Sequence, residues 1–162
     1  MSKVDELAAR LKQKQDSWAK EDISADKAIE LWPAQVYEMY HQVETWLTPL
    51  SEVGLNIRRV PTRVFESHPS GATFNYAIDQ LLIEGNHQSI LLDPIARFTT
   101  GGAGRVEIHG KGPERYLLRN GSEHGEGHWL IQTVPGSGKS RPDPLELNED
   151  TLLSVIQEGL DL

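Results

Sequence analysis

Hydrophobic positions along the chain follow two different rhythms. Up to Leu50 they recur at helical spacing, and from Leu55 to Thr133 they fall in short or alternating runs cut by glycine and proline. Val4, Leu7, Ala8, Leu11 and Trp18 form a thin apolar stripe on an otherwise charged segment, which predicts a surface-lying helix from Val4 to about Lys20. Ser24 is a good N-cap and predicts a second helix. Pro33, at a position where a missing N–H costs nothing, predicts the start of a third after Trp32. Val36, Tyr40, Val43, Leu47 and Leu50 then face a core, until Pro49 and Gly54 end the run. Trp18, Trp32 and Trp46 are evenly spaced, but Pro33 and the polar pair Glu21-Asp22 argue against a heptad repeat.

The second rhythm predicts strands. The candidates are Asn56 to Val60, Arg63 to Phe65 after Pro61, Ala72 to Glu84, Gln88 to Leu92, Arg105 to His109, Arg115 to Arg119 and His128 to Thr133. Gly85-Asn86 suits the tight connection of a hairpin between two of them. A final helix begins at Asn148, with Leu152, Leu153, Val155, Ile156 and Leu160 on one broad apolar face. Strands joined in succession, with helices at both ends and no βαβ alternation, predict an α+β fold. The expected architecture is an antiparallel meander of about five to six strands, with N-terminal helices and a C-terminal helix packed against it. A single domain over residues 1–162 is expected: helical over 1–50, sheet and turns over 51–134, loop and helix over 135–162.

Glycine usage supports this division, since none of the 14 glycines precedes Gly54. The chain has no cysteine, which excludes disulfides, thiolate zinc sites, iron–sulfur clusters and cysteine nucleophiles. No apolar stretch approaches a membrane span, and the opening residues are too charged for a secretory signal, so a cytoplasmic location and no membrane partner are expected. The net charge of −8 is unevenly spread: residues 1–50 carry −3, residues 51–120 carry +1 and residues 121–162 carry −6. Such a distribution repels polyphosphate and speeds encounter with cationic proteins.

Four motifs invite a chemical reading. Val134 to Ser140 ends like a phosphate-binding loop, but Thr133 stands where the first glycine belongs, and Pro142 and Pro144 forbid the helix that must follow. The turn Glu123-His124-Gly125-Glu126-Gly127-His128 offers loose divalent binding but lacks zincin spacing. Asp93 with Glu107-Ile108-His109 has a distant likeness to the Asp…Glu-x-Lys sites of restriction-type nucleases, with the lysine missing, and would serve a small metal-dependent enzyme. Seven arginines (Arg58, Arg59, Arg63, Arg97, Arg105, Arg115 and Arg119) interleave with Phe65, Phe74, Tyr76, Phe98, Tyr116 and Trp129, as in sheets that bind RNA or single-stranded DNA.

None of these assembles a catalytic constellation, and no Gly-x-Ser-x-Gly elbow is present. The expectation is therefore a non-enzymatic protein-binding domain with no catalytic residues, cofactor or metal. A bacterial immunity or antitoxin-type inhibitor that neutralises a cognate basic toxin fits best, with nucleic acid not expected as a ligand. Its expected partner-binding residues are Glu123, Glu126, Asp143, Glu146, Glu149 and Asp150.

Overall fold

The structure is a computed structural model that describes residues 2–99, 104–121 and 127–162. Helix α1 runs without interruption over Lys3–Ser51. The strands are β1 (Asn56–Ser67), β2 (Thr73–Gly85), β3 (Gln88–Ala96), β4 (Arg105–His109), β5 (Arg115–Gly121), β6 (Gly127–Thr133) and β7 (Leu145–Glu146), and α2 (Glu149–Gly159) follows. The strands form one antiparallel sheet in the order of the chain, with both helices against the same face. This is the expected α+β meander, with seven strands where five to six were expected.

The three expected N-terminal helices are one. Ser24 is simply an exposed helical residue, and Pro33 lies inside α1. An interior proline removes a hydrogen bond and crowds the preceding turn. Here buried side chains on both sides of it, Ala25, Ala28 and Trp32 before and Val36, Met39 and Tyr40 after, hold the helix on the sheet. A capping box closes the N-terminus: the Ser2 hydroxyl accepts from the Asp5 amide, and the Asp5 carboxylate accepts from the Ser2 amide.

Pro61 likewise does not divide the first strand. It sits within β1, an edge strand, opposite Asp79 of β2, where a missing N–H is tolerated. The β2–β3 hairpin turns on Asn86-His87 rather than Gly85-Asn86. Both turn residues have positive φ (52° and 58°), and Gly85 pairs with Gln88 as the last rung. That is the left-handed backbone a two-residue hairpin with matching twist requires.

The core lies between the helices and the inner sheet face. Val36, Tyr40, Val43 and Leu47 of α1 and Leu152, Val155 and Ile156 of α2 cover Ile78, Leu81, Ile83, Ile90, Leu92, Val106, Leu117 and Ile131. In β2 the inward positions shift phase by one residue between Ile78 and Leu81, where pairing with β3 stops. Two tyrosines of α1 satisfy the backbone opened there. Tyr37 accepts a hydrogen bond from the Asp79 amide at 2.9 Å, and Tyr40 donates to the Asp79 carbonyl at 2.8 Å. Burial, with Tyr37 and Asp93 nearby, pushes the Tyr40 hydroxyl well above the usual tyrosine range and keeps it a donor.

Gly104 marks the tightest packing against α1: a Cβ there would lie 2.3 Å from the Trp32 ring. Trp32 also packs on Trp129, with ring centroids 5.7 Å apart. No helix among the described residues is long and apolar enough to cross a membrane.

Candidate functional site

The acidic segment folds as an edge. After β6 the chain passes through an irregular stretch, tied down where the Gln132 side-chain amide donates to the Pro142 carbonyl at 2.9 Å. It then adds β7 to the sheet, with Glu146 opposite Leu130 and Leu145 opposite Ile131. The Leu147 amide donates to the Trp129 carbonyl at 2.8 Å, and the chain enters α2. Asn148 caps that helix by accepting from the Thr151 amide at 2.9 Å, while the Thr151 hydroxyl accepts from the Asn148 amide and donates to the Glu146 carbonyl at 2.7 Å. One side chain therefore fixes the corner between strand and helix.

This corner presents carboxylates to solvent. Asp143, Glu146, Glu149 and Asp150 are all exposed. Glu149 and Asp150 occupy the first turn of α2, where the helix macrodipole favours negative charge. Other acids are partnered within the fold: Glu44 with Arg59, Glu84 with Arg58, Glu158 with Arg115 and Asp161 with Lys111. Among the described residues none of the four edge acids makes an ion pair. Glu123 and Glu126 lie outside the described residues, as does His124.

A second polar group sits on the sheet face turned away from the helices. The register sets Asp93 of β3 opposite Glu107 of β4, and His109 follows two residues on, so all three residues share that face. His109 Nε2 stands 3.6 Å from Asp93 Oδ2 and 3.8 Å from Glu107 Oε2, and Gln80 Nε2 donates to Asp93 Oδ1 at 3.0 Å. Two carboxylates directly across a strand pair repel, and the imidazole between them relieves this when protonated. The three residues read from sequence as a unit do come together. Yet among the described residues no group of three or more His, Asp or Glu is arranged to hold a metal ion.

The arginines and aromatics do not share one surface. Arg59 reaches α1, where it meets Glu44 at 2.9 Å and lies over the Tyr37 and Tyr40 rings. Arg115 is buried and pairs with Glu158 of α2 at 3.2 Å. Arg105 stacks on Tyr116 at 3.9 Å, and Arg63 bonds Asn75 across the β1–β2 ladder. Trp129 is buried against Trp32, and Phe74 packs on Phe98. At Lys139 the chain makes a turn with Gly138 at φ 77°, and the next element is β7, not the helix a phosphate loop needs.

Two features were not singled out from sequence. Glu66 brackets the end of β3: its carboxylate accepts from the amides of Arg97 and Phe98 and from the Tyr76 hydroxyl. An isolated Glu in a strand carries no signal for such a role. The other is the placement of the first part of α1: expected to lie on the surface of the domain, it projects from it instead with its apolar stripe exposed, because the sheet ends before it does. Comparison with protein families, curated proteins and solved structures finds no match to this chain.

Proposed function

We propose that this chain is a non-enzymatic protein-binding domain that meets a basic partner with the edge formed by β7 and the start of α2, in the manner of an immunity or antitoxin-type inhibitor of a bacterial toxin. The observation that carries the reading is that Asp143, Glu146, Glu149 and Asp150 are exposed and without ion pairs among the described residues, on a corner locked by Thr151. A rigid anionic patch steers a cationic partner into register and pairs with its lysines and arginines at little cost in ordering. The carboxylates would occupy the cationic active site of the toxin and block its substrate.

Parallel affinity capture from the native host tests this, using the wild-type chain and one carrying Asp143→Lys, Glu146→Lys, Glu149→Lys and Asp150→Lys. The expected result is a basic protein retained by the wild type and lost by the variant, whose toxic activity the wild-type chain suppresses. Equal retention by both chains would remove the edge from the interface.

A further inference from the structure

The segment Lys3–Glu21 of α1 projects beyond the sheet. Among the described residues its hydrogen bonds and ion pairs stay within the helix and its cap. Asp22 makes the first tie, accepting from the Ser70 hydroxyl at 2.5 Å, and Ala25 is the first buried residue. Val4, Leu7, Leu11 and Trp18 are 74%, 51%, 61% and 46% exposed on this projection. A solvated helix of this length is marginal on its own in water, so an apolar stripe along it calls for a cover.

The spacing identifies the cover. Counting from Val4, the core positions of a seven-residue repeat fall at Val4, Leu7, Leu11, Lys14, Trp18 and Glu21. Two copies in parallel would set Lys14 against Lys14 and Glu21 against Glu21. Two antiparallel copies instead set Leu7 of each against Trp18 of the other, Leu11 against the aliphatic stem of Lys14, and Val4 against the stem of Glu21 with Lys3 next to its carboxylate, which removes both like-charge core pairs. The unfavourable neighbours in this register are Glu21 at the end of the seam, whose carboxylate reaches solvent past Val4, and Arg10 near Lys14, where Arg10 is already held by Glu6 at 2.8 Å. The paired region is about 30 Å long, and the antiparallel arrangement leaves the two sheets at its opposite ends.

We propose that a second copy of this chain covers the α1 projection, with the two helices antiparallel and Leu7 of each packed on Trp18 of the other. Sedimentation equilibrium of the full chain over a concentration series tests association: the mass should rise from 18.1 kDa to twice that value. The double variant Leu7→Glu/Leu11→Glu should stay at the monomer mass with its sheet intact, because both positions are exposed. A wild-type chain that is monomeric at every concentration, or a dimer that survives the double substitution, overturns the proposal.

Orientation has its own readout, because the natural chain has no cysteine. Leu7→Cys and Trp18→Cys chains, mixed and oxidised, should give mainly the mixed disulfide. Predominant self-pairing of each chain would mean a parallel helix pair and would overturn the antiparallel arrangement.

Discussion

The two halves of α1 share one helix and one apolar phase, yet they live in different surroundings. Trp18 and Trp32 are spaced so that they fall on nearly the same face, but Trp18 is half exposed and Trp32 is fully buried between Trp129 and Gly104. Helical periodicity marks which side of a helix will be apolar; whether that side is covered depends on where the sheet ends. The comparison also explains Pro33. Its cost is carried in the half where tertiary packing supports the helix, not in the half that relies on its own hydrogen bonds.

Substitution at the two tryptophans separates the halves most sharply. Trp32→Ala should cost roughly 3–5 kcal/mol of unfolding free energy, measured by denaturant titration, whereas Trp18→Ala at low protein concentration should change it by no more than about 0.5 kcal/mol. Comparable losses would mean that the projection folds as part of the core.

Gly104→Ala attacks the docked half from the sheet side. The new methyl must displace the rigid Trp32 ring, so a loss of roughly 1–3 kcal/mol is expected. An unchanged midpoint would show that the ring has room to move.

Tyr40→Phe leaves the Asp79 carbonyl without its donor and should cost about 1–3 kcal/mol near neutral pH. It should also flatten the alkaline limb of the stability profile. Burial raises the Tyr40 ionisation in the folded state, so the unfolded chain releases that proton first. Stability is therefore complete below the ordinary tyrosine value near 10 and falls as pH rises above it. The Phe variant should lose less over that range, although Tyr76, raised chiefly by burial and then by its bond to Glu66, keeps part of the slope.

The caps give a smaller contrast. Asn148→Ala should destabilise the whole fold by about 1 kcal/mol, because α2 is part of the core. Ser2→Ala should reduce only the helicity of the projection, read by circular dichroism, and leave the global midpoint in place.

Much of the sheet was legible because local signals agreed. The strands from Arg105 to Thr133 are short runs bounded by glycine or proline, alternating in β4 and continuously apolar at the centres of β5 and β6, and the structure places all three within a residue or two of the expected spans. The misreadings share a cause. Ser24, Pro33 and Pro61 are local breakers, and each is overruled by a neighbour in space: the sheet beneath α1, or the edge position of β1. β7 is two residues long and lies just after Pro144, too little for any periodicity to register. Of the candidate edge, the exposed acids and the Asn148 cap could be read from sequence. The lock through Thr151 to Glu146 could not, since it depends on β7 pairing with β6.

The association rate between this chain and the basic partner proposed for it, followed by stopped flow at low and high salt, bears most directly on the anionic edge. The wild-type rate should fall steeply with salt, and the four-lysine variant should associate at least about tenfold more slowly at low salt with little salt dependence, while its unfolding midpoint moves by no more than about 0.5 kcal/mol. Equal rates for the two chains at low salt would contradict a binding edge built from Asp143, Glu146, Glu149 and Asp150.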